Sequence, residues 1–300
     1  MRKLVIKGSI VALVTPMTAE GQLDIEALRA LAEWHVQSGT AAIVAMGTTG
    51  EASTLTADEN RAVLQHVVEQ VAGRVPVIAG TGSPSTQATI EKTQAAHAQG
   101  VDACLLVTPY YNKPTQEGLY QHFKTVAESV AIPFILYNVP GRTQCDLAVE
   151  TTGRLSRLPA IIGVKDATAD LTRVAQLRAL CAEGFALYSG DDPTAREFIQ
   201  LGGHGVISVT ANVVPVLMQE MCQALIGGDF DCAEKFDNQL LNLHHALFSE
   251  SNPIPVKYAL HKMQRIAPGI RLPLTWLAKE QHAAVDAEIE RLIEIETVMN

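Results

Sequence analysis

Ile161-Ile162-Gly163-Val164-Lys165-Asp166 reads as a strand buried on both faces: four apolar or small residues follow one another without alternation, and the run ends on two charges. The same pattern recurs on either side of it. Runs rich in Val and Ile lie at 9–14, 41–45, 76–79, 103–107, 134–138, 186–189 and 205–208, making eight with 161–165, and each passes into Gly, Thr, Pro, Asn or Asp and then into helical periodicity. Their centres are about 20 to 35 residues apart, the length of a βα unit. Eight such units within ~225 residues predict an α/β protein of the closed (β/α)8 TIM-barrel class, for which ~250 residues is typical, in preference to an open doubly wound sheet.

Helix signals agree with the strand pattern. Thr56-Ala57-Asp58-Glu59 forms a capping box ahead of Val63, Leu64, Val67, Val68 and Val71, and Gly39, Gly73, Gly100 and Gly202 fall where helices should stop. From about Val213 the strand signal is gone. Residues 227–300 read as some three helices, punctuated by Gly227-Gly228, Asn252-Pro253-Ile254-Pro255 and Pro268-Gly269. The expected organisation is a barrel catalytic domain over 1–226 and a C-terminal all-helical extension over 227–300, packed on the barrel without a flexible linker.

Composition narrows the function. The 300 residues are 47% hydrophobic, 18% charged and 5% aromatic, an aliphatic globular composition. With 23 Lys+Arg against 32 Asp+Glu, the net charge of −9 and the lack of a basic run argue against nucleic acid and anionic membranes as partners. The five cysteines are scattered without CxxC, and the nine histidines lack HExxH spacing, so neither a disulfide framework nor a metal site is expected. Arg2 and Lys3 precede too few apolar residues for a signal peptide, and no run approaches a membrane span, which points to a soluble protein of the reducing cytoplasm.

In a barrel of this class the chemistry sits at the carboxyl ends of the strands. There the sequence places Gly47-Thr48-Thr49-Gly50-Glu51, Thr108-Pro109-Tyr110-Tyr111, Tyr137 to Arg142, Lys165-Asp166, Gly190-Asp191-Asp192 and Thr210-Ala211-Asn212. A lysine at the mouth of a dry barrel loses its proton more readily than one in water, and the free amine can form a Schiff base with a ketone. Position alone leaves equal room for a Lys165 that carries its ammonium to the rim. Tyr137, one strand away, reads either as a proton shuttle for Lys165 or as a core tyrosine. The Gly-Thr-Thr-Gly turn suits a small carboxylate and is equally an ordinary turn; Arg142 is either a carboxylate clamp or a solvated loop residue. Gly80-Thr81-Gly82 lacks the third glycine of a dinucleotide fingerprint, and Asp191 with Asp192 repels a phosphate, so the expected substrate is unphosphorylated.

GTTGE at 47–51, YNVPGRT at 137–143 and GVKDAT at 163–168 together resemble the dihydrodipicolinate synthase / N-acetylneuraminate lyase family of class I aldolases. The likeness extends over TPYYNKPTQEGLYQHF at 108–123, SGDD at 189–192, GGHGVISVTAN at 202–212 and ESNPIPVKYAL at 250–260, nearly end to end. It implies that Lys165 forms an imine with pyruvate and that the enamine attacks L-aspartate 4-semialdehyde, on the diaminopimelate route to lysine, with no metal or organic cofactor. Carried over by position, it implies a proton relay of Tyr137, Thr48 and Tyr111, the last reaching in from a neighbouring subunit. Thr49 holds the pyruvate carboxylate, Ile207 and Gly190 line the pocket, and Arg142 binds the semialdehyde carboxylate. The implied assembly is a homotetramer, a dimer of dimers.

The sialic acid and 2-keto-3-deoxy sugar acid lyases of the family share the lysine and tyrosine but generally lack an arginine at this place, which makes pyruvate release from such a sugar acid the alternative. A non-catalytic keto-acid sensor is a further one, weakened by the presence of the whole residue set. Lysine-inhibited members carry polar grips beside the residue matching Tyr110; here those positions are Ala57, Asn60, Pro84 and Ala88, leaving Tyr110 and Glu51, so lysine is expected to inhibit feebly. Cys145, close to Arg142, is expected to be a buried inert thiol.

Overall fold

The computed structural model describes residues 4–299, so Arg2 and Lys3 lie outside the described residues. The chain alternates β1 (Gly8–Ala12), α1 (Ile25–Gln37), β2 (Ala42–Ala45), α2 (Ala57–Val71), β3 (Val77–Gly80), α3 (Thr86–Ala98), β4 (Ala103–Val107) and α4 (Gln116–Ser129). After β5 (Phe134–Asn138) come the single turn α5 (Pro140–Thr143) and α6 (Val149–Leu155), then β6 (Ile161–Asp166), α7 (Thr172–Leu180), β7 (Ala186–Ser189), α8 (Ala195–Gln200) and β8 (Gly205–Ser208). A 3-10 turn (Thr210–Asn212) leads into α9 (Pro215–Gly227), and α10 (Phe230–Leu247), α11 (Ile254–Lys262) and α12 (Lys279–Met299) complete the chain. The strands form a closed parallel barrel in sequence order, with β8 paired to β1. This is a (β/α)8 TIM barrel followed by helices.

The bounds of β4, β5, β7 and β8 coincide with the apolar runs. β6 runs one residue further because Asp166 still pairs with Asn138 and Ser189. β1 is shifted towards the N-terminus: Gly8 pairs with Gly205, while Val14 leaves the ladder and gives its N–H to Asn212 Oδ1. In α2 the expected capping box forms, with Glu59 N donating to Thr56 Oγ1 at 3.3 Å and Thr56 N donating to Glu59 Oε2 at 2.8 Å. Its buried face is Val63, Leu64, Val67 and Val71, the stripe that a 3.6-residue period lays against the barrel.

Two apolar cores result. The larger fills the space between strands and helices; the smaller lies inside the barrel and includes Ile10, Ile78, Leu105, Ile135, Tyr137 and Ile207. Closure requires close backbone approach at the last seam, where a Cβ on Gly205 would stand 2.1 Å from Gly8 O. Asn212 reinforces that seam by donating to Ala12 O (2.8 Å) while accepting from Val14 N (3.1 Å), and Gln219 of α9 accepts from Ser9 N.

The C-terminal helices are joined to this seam. Glu296 on α12 accepts from Val216 N (2.6 Å) and Leu217 N (3.1 Å), capping the first turn of α9 from another helix. Replacing Glu296 by Ala leaves two buried N–H groups without an acceptor and should cost about 2 kcal/mol of stability in urea unfolding.

Candidate active site

Register brings the chemistry together. Tyr137 on β5 pairs with Lys165 on β6, which pairs in turn with Tyr188 on β7, so the three occupy one layer across adjacent strands. Lys165 Nζ lies 4.4 Å from the centroid of the Tyr137 ring, and the side chain is 6% exposed. Burial lowers its amine to about 8, helped by the Arg142 charge and opposed by the Asp192 carboxylate. Burial likewise raises the Tyr137 phenol, against the pull of Arg142 and Thr48.

Space for this lysine is made by Gly190, at the end of β7. A Cβ there would stand 2.8 Å from Lys165 Cε and 2.7 Å from Ala167 Cβ. Asp192, two residues on, is buried and receives Val209 N and Thr210 N on one oxygen, at 2.9 and 3.0 Å. Those two N–H groups fix a negative charge beside a lysine whose neutral form the barrel favours.

Opposite stands the loop after β2. Glu51 adopts a left-handed φ of 54° and donates its N–H to Thr48 O at 3.1 Å, folding the Gly-Thr-Thr-Gly turn back on itself. Thr48 is exposed. Thr49 is buried, and its Oγ1 accepts from Asn252 Nδ2 at 2.9 Å, which leaves the Thr49 hydroxyl hydrogen free to donate. The carbonyl oxygen of the same Asn252 accepts from Arg142 Nη2 at 3.3 Å, so one residue from the start of α11 touches both the threonine loop and the arginine of α5.

A cavity of about 460 Å3 opens at this end of the barrel, lined by Thr48, Tyr137 and Arg142 together with Ala57, Asn60 and Tyr110. Ile207 is buried in the inner core on β8, in register with Ile10 of β1. Tyr111 is set apart from the others: it is 92% exposed, with φ 74°. Glu51 differs from its expected place beside Tyr110. Its carboxylate is sealed in the interior, accepting from Lys257 Nζ at 2.5 Å and Arg271 N at 3.1 Å, because α11 and the segment after it bring these donors beneath the loop. Cys145 is buried, and burial together with Asp146 raises its thiol pKa, which keeps it protonated.

Asn252, Lys257 and the tie from Asp192 to the end of β8 are the parts that strand and motif reading does not find. Asp191-Asp192 was visible as a charge, but its backbone partners were not. Among the described residues no group of three His, Cys, Asp or Glu is arranged to hold a metal, and no helix is long and apolar enough to cross a membrane.

The model of the Dihydrodipicolinate synthetase family matches residues 5–292. The chain belongs to this family. Among curated family members, the 4-hydroxy-tetrahydrodipicolinate synthase of Methylococcus capsulatus is 63% identical over 280 residues, 93% of this chain and 96% of the relative. That of Pseudomonas aeruginosa is 58% identical, covering 92% of this chain and 95% of its own. The crystal structure of the chloride-inhibited dihydrodipicolinate synthase from Acinetobacter baumannii, complexed with pyruvate, superposes with a TM-score of 0.93 at 53% identity and covers 95% of this chain and 98% of that one.

The electrostatics of Lys165 can be read directly. In protein carrying 13C-labelled lysine, its ε-carbon should titrate with a midpoint near 8. Asp192→Asn removes the carboxylate that favours the ammonium, so the midpoint should move to lower pH; a midpoint at the ordinary lysine value would mean that burial does not control this amine.

Proposed function

We propose that the chain catalyses, in the cytoplasm, the condensation of pyruvate with L-aspartate 4-semialdehyde, the reaction of a 4-hydroxy-tetrahydrodipicolinate synthase on the diaminopimelate route to lysine. The observation that carries this reading is the Lys165 amine, buried at the barrel mouth, lowered to about 8 and facing Tyr137 across one strand pair. Family membership supplies the context; the amine supplies the chemistry.

The neutral amine attacks the keto carbon of pyruvate, and loss of water gives the imine. Loss of a methyl proton converts the imine to an enamine, whose carbon attacks the aldehyde of the second substrate. The substrate's own amino group then adds to the imine carbon and displaces Lys165, closing the ring. Tyr137 and Thr48, with Tyr111 of a neighbouring copy, move the protons. Support for this use of Tyr111 is its position, projecting from the surface of the single chain. It goes with a homotetramer built as a dimer of dimers.

Thr49 and the N–H groups of its turn hold the pyruvate carboxylate, and Arg142 holds that of the semialdehyde. Gly190 and Ile207 line the pocket, the former by leaving room for the lysine stem. The imine is itself the electron sink, so no metal or organic cofactor takes part. Residues 1–226 carry the reaction, and the helical extension over 227–300 braces it.

Borohydride trapping with pyruvate, followed by intact-protein mass spectrometry, should add one three-carbon unit to the wild type and none to Lys165→Ala. Arg142→Ala should keep the adduct while kcat/KM for the semialdehyde falls roughly 10- to 100-fold, the loss expected of a charge-assisted contact. No pyruvate should be released from a 2-keto-3-deoxy sugar acid; release at a comparable rate would favour the lyase reading.

Lysine should inhibit weakly. Ala57 and Asn60 line the cavity beside Tyr110, while Glu51 is turned away into the interior. An amino acid bound there leaves charged groups unpaired. Half-inhibition at sub-millimolar lysine would contradict this.

A further inference from the structure

Among the described residues two lysines are buried, and the chemistry above uses only Lys165. Lys257, on the first turns of α11, is fully buried, and its side chain is as inaccessible as that of Glu51, its partner at 2.5 Å. The two are 206 residues apart in sequence. A buried ion pair is an expensive way to hold two elements together, since well-packed apolar side chains of the same size often do it as well. What the pair touches is therefore informative.

Every polar atom of Glu51 is engaged in shaping one turn. Its N–H donates to Thr48 O, its carbonyl accepts from Thr54 N, and its carboxylate accepts from Lys257 Nζ and Arg271 N. The residue sits at a left-handed φ of 54°, a conformation that a side chain with a Cβ adopts only when its surroundings hold it. Without the pull of Lys257 and Arg271 on the carboxylate, only the loop's own bonds to Thr48 O and from Thr54 N would oppose a return to extended backbone. Thr48 and Thr49 would then point elsewhere.

We propose that Lys257 is a positioning residue for the reaction: through Glu51 it locks the loop after β2 so that Thr48 and Thr49 face the pyruvate bound at Lys165. The inference rests on the functional reading above. It separates this lysine from a plain structural staple, because the turn it fixes carries the pyruvate contacts and not the core. Arg142 makes no hydrogen bond to the pair; it is held by the backbone carbonyl of Asn252, which does not depend on that residue's side-chain bond to Thr49. The pair should therefore govern the first substrate and spare the second.

Lys257→Met alone strands a carboxylate in the interior and is expected to lower the yield of folded protein. The decisive variant is Glu51→Gln combined with Lys257→Met, which removes both charges at similar volume and leaves Arg271 N an amide oxygen to donate to. Thermal unfolding, pyruvate trapping and steady-state kinetics with both substrates are measured on the wild type and the double variant. The expected result is a folded double variant that still forms one Lys165 adduct, with kcat/KM for pyruvate lower by about tenfold or more, as a displaced contact produces. Its KM for the semialdehyde should stay within about twofold of the wild type. Wild-type constants for pyruvate in the folded double variant would overturn the proposal, and so would a rise in KM for the semialdehyde as large as that for pyruvate, which marks a general loosening. A wild type that neither traps pyruvate nor condenses the two substrates would overturn the functional reading itself.

Discussion

The hydrogen bonds from β8 to β1 close the sheet on itself, and that closure decides what the interior can hold. With no sheet edge and with side chains such as Ile10, Ile135 and Ile207 filling the inside, a charged group ending there has lost its water. An ammonium responds by giving up its proton at a lower pH than usual, which is the state of Lys165 that the proposed attack on a keto acid requires. The glycines at the seam and beside the lysine serve this one condition: Gly205 lets the last strand approach the first, and Gly190 leaves the volume into which the lysine stem fits.

Among the described residues lysine is buried twice, to different ends. Around Lys165 the charges are arranged in opposition, Arg142 favouring the free amine and Asp192 the ammonium, with neither close enough to form a salt bridge. Around Lys257 a single carboxylate is in direct contact, and burial still lowers the amine against its pull. The contrast is one of geometry: the barrel leaves Lys165 without a direct counter-ion, and the loop after β2 gives Lys257 one.

Much of the fold was legible because parallel strands covered on both faces leave continuous apolar runs, and eight of these at βα spacing admit few architectures. The limits of β4 and β5 could be read to the residue. The start of β1 could not, since it depends on Gly205, the partner from the other end of the barrel, which no local pattern reports. The short turns at 140–143 and 210–212 were missed because three or four residues carry too little periodicity. In the site, Lys165, Tyr137 and the threonine turn stand where strands end and were visible by position. Glu51 was misread as a pocket residue because its partner, Lys257, lies in a helix whose own pattern suggests only packing. Asn252, whose side chain meets Thr49 and whose carbonyl meets Arg142, sits in a turn that sequence marks only as punctuation.

The tie between the loop at 48–51 and donors at 257 and 271 also orders events in time. A growing chain releases the threonine turn from the ribosome early, but the side chains that hold it leave the exit tunnel only after another two hundred residues have been added. Until then the Glu51 carboxylate has no reason to turn inward, and β1 waits equally for β8. Nascent fragments that end before residue 271 therefore lack a donor that holds Glu51, and the loop's final geometry arrives with the last quarter of translation.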